Sequence, residues 1–131
     1  MTTFVDTSAL LAVLHRSDRN HTRAARTWKD LLEQDRDLVS TNYVLLETFA
    51  LLQNRFGLSA VRDLSDNIAP LLRVEFVTEG AHGAAVSVVM AADRRQLSLV
   101  DCVSFASMRR LSITRVFAFD PHFAEQGFDL V

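Results

Sequence analysis

The chain has 131 residues, of which 49% are hydrophobic and 23% are charged, so its composition predicts one globular domain over residues 1–131 and excludes a disordered protein. A formal net charge of −2 excludes a bulk attraction to nucleic acid, so any such contact requires a local basic patch. The single cysteine, Cys102, excludes an intrachain disulfide and a cysteine-based zinc site, and the lack of a signal segment or a long apolar run predicts a cytoplasmic protein with no membrane association.

Short β-prone stretches alternate with helical patterns through the first half of the chain. We predict strands at residues 2–5 and 38–39, and helices at residues 9–14, 21–34 and 43–56. Gly57 is expected to end the last of these helices, because glycine accepts the backbone conformation that closes a helix.

The alternation continues through the second half. A helix is predicted at residues 59–72, a strand at 73–77, helices at 84–94 and 100–111, a strand at 113–119 and a terminal strand at 128–131. Strands separated by helices form parallel units. The predicted fold is therefore an α/β protein, a three-layer α/β/α sandwich with a short, mainly parallel central sheet.

Two carboxylates directly follow predicted strands. Asp6 interrupts the apolar run FVDTSALLAVL, and Asp120 ends the stretch RVFAFD. Ligands of open parallel sheets gather outside the carboxyl ends of the strands, so these two side chains are expected at one edge. Burying an unpaired carboxylate costs several kcal/mol, which suggests that a cation neutralises Asp6.

Each of these acids also has a purely structural explanation. Asp6 fits the N-cap of the first helix, and Asp120 fits an N-cap followed by Pro121 at the first helical position. Asp101 fits a capping box with Ser98 in the stretch SLVD. Pattern alone leaves the structural and the functional interpretations open for all three.

Glu47 lies in the middle of the helix NYVLLETFALLQNRF, where no cap is needed. Helical periodicity places it roughly opposite an apolar stripe and therefore toward solvent. The stripe consists of Leu45, Phe49, Leu52 and Phe56. The residues three and four positions from Glu47 are nevertheless mostly apolar, which indicates a helix packed on two sides.

Four stretches taken together resemble the acidic motifs of the PIN domain, and more closely those of VapC-type toxins of bacterial toxin–antitoxin pairs. They are, in order, FVDTSALLAVL, STNYVLLETFALLQ, LSLVDCVSFASMRR and FAFDPHFAEQGF. The resemblance covers essentially the whole chain. It implies that Asp6, Glu47, Asp101 and Asp120 converge, bind Mg²⁺ or Mn²⁺ and catalyse cleavage of RNA.

The resemblance also implies supporting roles around the four acids. Ser8 matches a position whose hydroxyl often supports the site, and Ser104 is a weaker candidate that we expect to be bonded to solvent or backbone. Asp93 is interpreted as a helix-end charge. His122 is expected to bond the helix start or a neighbouring carboxylate, without a catalytic role.

Carboxylates without a histidine or cysteine cluster favour Mg²⁺ or Mn²⁺ over zinc, because hard divalent cations prefer oxygen ligands. Such a cation activates water to attack a phosphodiester. The densest basic stretch includes Arg16, Arg19 and Arg23, which are candidates for binding the RNA substrate; a solvated helical face is the alternative.

VapC-type proteins are similar in binding a small cognate antitoxin and in commonly forming homodimers. The apolar helices over residues 48–56 and 58–72 are candidate surfaces for both partners. A catalytically weak PIN-fold module that binds RNA or protein remains an alternative function. An aspartyl-phosphate phosphohydrolase is disfavoured, because that chemistry usually needs a second aspartate where this chain has Ser8.

Overall fold

The computed structural model describes residues 1–34 and 37–131. Within them, five parallel strands form one sheet in the order β3-β2-β1-β4-β5. The strands are β1 (Thr2–Val5), β2 (Asp37–Thr41), β3 (Arg73–Glu75), β4 (Arg115–Phe117) and β5 (Asp129–Leu130). The predicted α/β architecture with a mainly parallel sheet is confirmed.

Seven α-helices connect and follow these strands in the described ranges. They are α1 (Thr7–Leu14), α2 (His21–Glu33), α3 (Asn42–Phe56), α4 (Leu58–Asp63), α5 (Glu79–Ala92), α6 (Leu99–Arg110) and α7 (His122–Glu125). None of the helices in the two described ranges is long and apolar enough to cross a membrane.

The chain predicted to be one helix over residues 59–72 is helical up to Leu71, but its hydrogen-bonding pattern changes twice. After α4, Leu64–Ile68 forms a π-helical turn in which the Ala69 amide donates to the Leu64 carbonyl, and a 3₁₀ turn follows at Ala69–Leu71. Pro70 explains the change, because proline has no amide hydrogen and its ring clashes with the carbonyl four residues before it.

Two helices begin two or more residues earlier than predicted, because side chains cap them. Asp6 caps α1, which starts at Thr7, and Thr78 caps α5, which starts at Glu79 and ends at Ala92. Gly57, with a φ of 81°, ends α3 as predicted. The predicted strands at 73–77, 113–119 and 128–131 are shorter in the structure, whereas β2 is longer than predicted.

Strand β1 lies at the centre of the sheet and is hydrogen-bonded to β2 on one side and β4 on the other. Its Phe4 and Val5 are fully buried, as are Val116 and Phe117 of β4. Because β1 and β4 are parallel and adjacent, the residues that follow them emerge at the same edge of the sheet. The core thereby fixes the relative positions of Asp6 and Asp120.

Candidate active site

Asp6 follows β1 and is only 4% exposed. Its Oδ2 accepts hydrogen bonds from the Ser8 amide, at 3.1 Å, and from the Ser8 hydroxyl, at 2.7 Å. Burial nevertheless raises the pKa of Asp6 to about 6, and the nearby charges of Asp101 and Asp120 add to this rise. Asp6 is thus both a helix cap and a member of an acidic cluster.

Ser8 connects Asp6 to the end of β4. While its hydroxyl donates to Asp6, the Ser8 Oγ accepts a hydrogen bond from the Phe119 amide at 2.9 Å. Phe119 immediately precedes Asp120. A single hydroxyl therefore ties the first acid to the backbone that carries the last one.

Asp101 is buried in the first turn of α6, where it forms the capping box predicted with Ser98. Its Oδ2 accepts a hydrogen bond from the Ser98 amide at 3.1 Å. Burial raises the pKa of Asp101 despite this bond, and the charge of Asp120 raises it further. The capping function does not remove Asp101 from the cluster.

Asp120 and His122 lie with Asp101 in a group of potential metal ligands at the edge of the sheet. The Asp120 Oδ1 accepts a hydrogen bond from the His122 amide at 2.9 Å and lies 2.8 Å from the His122 Nδ1. One potential ligand atom from each of Asp101, Asp120 and His122 lies within 4.8 Å of the other two. The expected contact between His122 and a neighbouring carboxylate is present, and the structure adds this imidazole to the group.

Glu47 reaches the cluster from the middle of α3. It is half-buried, and burial raises its pKa, with further contributions from the charges of Asp101 and Asp120. A hydrogen bond from the Thr7 side chain acts in the opposite direction and lowers that pKa. Glu47 is therefore near the other acids. Helical periodicity alone had placed it toward solvent, and the structure does not show it freely solvated.

The apolar stripe predicted on α3 is wrong in part. Leu52 is buried, but Phe49 and Phe56 are 39% and 41% exposed, and the side of α3 that packs into the core carries Val44, Thr48 and Leu52. The Thr48 hydroxyl lies 2.8 Å from the Val44 carbonyl and 3.2 Å from the Thr7 hydroxyl, so it is satisfied inside the protein. A pattern that counts threonine as polar misplaces the buried side.

Ser104 lies one helical turn after Asp101 and is fully buried. The expected bond to backbone is absent, because its hydroxyl has no hydrogen-bond partner among the described residues. Asp93, by contrast, is exposed at the C-terminal end of α5 with a φ of 50°, which agrees with a helix-end charge.

The basic candidates Arg16, Arg19 and Arg23 are exposed, and none forms an ion pair with any residue in the described ranges. The Arg23 guanidinium carbon lies 5.6 Å from the centre of the Phe119 ring. That ring belongs to the residue before Asp120, so Arg23 lies against the segment that carries Asp120. The density of basic residues in the sequence did not distinguish Arg23 from Arg16 and Arg19.

The donor set fits a hard divalent cation. The groups at this edge are carboxylates with one adjacent imidazole, and Asp6, Glu47 and Asp101 all have raised pKa values because they are desolvated close to like charges. Mg²⁺ and Mn²⁺ favour carboxylate oxygens. A cation at this edge would relieve the repulsion that the fold imposes.

Residues 3–129 match the PIN domain family. The chain is 36% identical over 126 residues to the 23S rRNA-specific endonuclease VapC20 of Mycobacterium tuberculosis, and the match covers 95% of this chain and 94% of that protein. A further match to FitAcB of Neisseria gonorrhoeae has a TM-score of 0.70 at 16% identity, covers 99% and 96% of the two chains, and indicates the shared fold.

The crystal structure of Mycobacterium tuberculosis VapC20, described as a sarcin–ricin loop cleaving toxin, superposes with a TM-score of 0.84. The sequences are 34% identical in that comparison, which covers 100% of this chain and 98% of the other. Motifs, fold and near-complete coverage agree. The chain therefore belongs to the PIN domain family and is a VapC-type toxin.

Proposed function

We propose that this chain is an endoribonuclease toxin that cleaves the sarcin–ricin loop of 23S rRNA and whose catalytic residues are Asp6, Glu47, Asp101 and Asp120. The observation that supports the proposal is that the charges of Asp101 and Asp120 raise the pKa values of both Asp6 and Glu47, and that the charge of Asp120 also raises the pKa of Asp101. The identity of the RNA is supported by the 36% identity to an enzyme named for 23S rRNA.

The same four acids, with Ser8 supporting Asp6, would hold Mg²⁺ or Mn²⁺, because both cations favour carboxylate oxygens. When bound, the cation activates water for attack on phosphorus and neutralises charge on the phosphoryl oxygens. The protein contributes fixed positions: Asp6 through Ser8, Asp101 through its capping box, and Asp120 through the His122 amide.

Substrate approach needs positive charge outside the acidic cluster, because carboxylates repel the RNA backbone. Arg23 is the best placed of the three basic candidates, since it lies beside Phe119 and carries no ion pair with a described residue. Arg16 and Arg19 lie between α1 and α2 and extend the same basic stretch. We include all three in the proposed RNA-binding surface.

A VapC-type toxin pairs with an antitoxin, and we propose in addition that this chain forms a homodimer. The support is an outer face of apolar side chains on α3 and the start of α4, where Phe49, Phe56 and Leu58 are 39%, 41% and 52% exposed. Exposed apolar surface of this kind marks sites of protein association.

Incubation of the purified chain with 23S rRNA and with a synthetic sarcin–ricin hairpin tests the function. We expect one new 5′ end within the loop in Mg²⁺ or Mn²⁺, none in EDTA, and a loss of at least 100-fold in Asp6→Asn and Asp101→Asn. Asp93→Asn is the matched control, because Asp93 lies outside the cluster and asparagine tolerates its left-handed backbone. Full-rate cleavage by Asp6→Asn would contradict the catalytic assignment, and cleavage only elsewhere would contradict the substrate.

A further inference from the structure

An apolar cleft of about 370 Å³ opens beside the acidic cluster. Its walls come from α3, α5 and the first turn of α6, and it is lined by Tyr43, Leu46, Glu47, His82, Leu99 and Val100. Glu47 belongs both to this cleft and to the acidic cluster, while Leu99 and Val100 directly precede Asp101. The cleft and the proposed catalytic site are therefore continuous.

The cleft suits a flat ring with a polar edge. The Tyr43 hydroxyl is hydrogen-bonded to the His82 Nδ1, and the two rings meet edge-to-face with their centres 5.9 Å apart. Leu46 supplies an apolar wall and is 68% exposed, so its side chain is open to a ligand. Nucleobases combine apolar faces with hydrogen-bonding edges and stack on tyrosine and histidine rings in RNA-binding proteins.

Charge decides which part of a nucleotide this cleft can accept. Its lining has no lysine or arginine among the described residues, and the charge of Glu47 repels a phosphate. The ribose and the base of a nucleotide are both uncharged, but only the base offers the flat apolar faces that stack on aromatic rings. If the scissile phosphate is at the acidic cluster, a neighbouring base lies within reach of the cleft, and bases in RNA loops are free to turn out of the stack.

We infer that the cleft between Tyr43, Leu46, His82 and Val100 binds one unstacked nucleobase adjacent to the cleaved phosphodiester. This inference rests on the proposed ribonuclease function. It assigns substrate recognition to side chains outside the acidic cluster. A hydrophobic segment of a protein partner is the competing occupant.

Binding of a fluorescent sarcin–ricin hairpin in Mg²⁺ tests the inference in the inactive Asp6→Asn background. Adding Tyr43→Ala or His82→Ala should weaken the affinity about fivefold or more, the range that stacking of one base supplies. Tyr43→Phe keeps the ring and should stay within about twofold. Phe76→Ala is the matched control, because Phe76 is an exposed aromatic residue outside the cleft, and it should have no effect.

Hairpins with one abasic position near the cut then identify the base. Removing the bound base should weaken binding to the Tyr43-containing protein but cause no further loss in Tyr43→Ala. Equal losses in both proteins at every position would overturn the inference, as would Tyr43→Ala impairing only antitoxin binding. These results differ from failure of the proposed function, in which the unmodified chain cleaves no RNA at all.

Discussion

Asp6 is the most deeply buried of the four acids proposed to be catalytic. Its carboxylate is 4% exposed, and its pKa is raised to about 6 from 3.8 by burial and by two neighbouring acids. A raised pKa in the folded state means that the folded protein binds a proton more tightly than the unfolded chain. In the metal-free protein, the contribution of Asp6 to the free energy of unfolding is therefore greatest below about pH 4, and this contribution is lost as the pH rises through about 6.

We predict that Asp6→Asn stabilises the metal-free protein at pH 7.5. The shift of about 2 pKa units corresponds to at most about 3 kcal/mol, and asparagine keeps an oxygen that can accept the Ser8 hydrogen bonds. Thermal unfolding in EDTA should show a higher Tm for Asp6→Asn at pH 7.5, with the difference shrinking toward pH 4.

In Mg²⁺ the unmodified chain should instead have the higher Tm. Mg²⁺ binding stabilises the folded state of the unmodified chain, whereas Asp6→Asn binds Mg²⁺ weakly and gains little stability from it. Asp93→Asn, at an exposed helix end, should leave the Tm difference near zero at every pH. An Asp6→Asn protein that is less stable than the unmodified chain in EDTA at pH 7.5 would show that Asp6 serves mainly as a helix cap.

Sequence reasoning located three of the acids for reasons that the structure retains. Asp6 and Asp120 follow adjacent parallel strands, and chain topology alone brings such residues to one edge. The capping box of Asp101 was readable from SLVD, but capping did not exclude a place in the cluster. The burial of Ser104 without a partner was not predictable, because it depends on packing around α6 rather than on local pattern.

At the scale of elements, α3 shows where periodicity fails. Its buried side includes Thr48, whose hydroxyl is satisfied by the Val44 carbonyl, and this turns Phe49 and Phe56 outward. Glu47 then lies between the buried and the exposed sides, at the edge of the cluster. Helix α3 is apolar on two sides as expected, but within the described chain only one of these sides packs into the core. Contacts with distant residues, such as that between Thr48 and Thr7, determine which side is buried, and a single sequence does not display them.

The contact between α1 and α3 positions Glu47 relative to Asp6. The Thr7 hydroxyl lies 3.3 Å from the Val44 carbonyl and 3.2 Å from the Thr48 hydroxyl, and hydrogen bonding by Thr7 lowers the pKa of Glu47. We predict that Thr7→Val destabilises the protein by about 1 kcal/mol and lowers kcat about tenfold.

Thr7→Ser is the matched control, because it keeps the hydroxyl, and it should retain most of the activity. Steady-state cleavage of the hairpin, together with Mg²⁺ titration by calorimetry, separates positioning from folding. The prediction requires weaker Mg²⁺ binding in Thr7→Val at a temperature where both variants are fully folded. Unchanged affinity and kcat would show that this contact only stabilises the fold.

At the scale of the whole molecule, the sheet order places β1 and β4 side by side and thereby assembles residues that are more than 100 positions apart in the chain. The alternation of strands and helices was sufficient to predict a parallel sheet and a shared edge for Asp6 and Asp120, but not the strand order that makes β1 and β4 neighbours. The same pattern overestimated β3, β4 and β5 at their ends, since apolar residues beyond a ladder pack on the core without pairing. The length of the regular helix after α4 was likewise overestimated. Pro70 interrupts it because proline cannot donate a helical hydrogen bond, and a hydrophobic pattern does not register that loss.

The outer face of Phe49, Phe56 and Leu58 is the feature that one chain alone does not explain. Burying large apolar side chains against a second copy gains about 25 cal/mol per Å² of surface removed from water. We predict a mass of twice 14.7 kDa by light scattering for the unmodified chain, and a mass near 14.7 kDa for Phe49→Glu/Phe56→Glu, because a dimer would bury two carboxylates per chain without partners.

Phe76→Glu is the control for adding charge to an exposed aromatic position, since Phe76 is 75% exposed and follows β3 rather than lying on α3 or α4, and this variant should remain dimeric. Circular dichroism should show that the double variant keeps its helices, because both phenylalanines lie outside the buried core. A monomeric unmodified chain would reject the homodimer. The face would then be left to the antitoxin, and the double variant should lose the antitoxin while retaining cleavage of the hairpin.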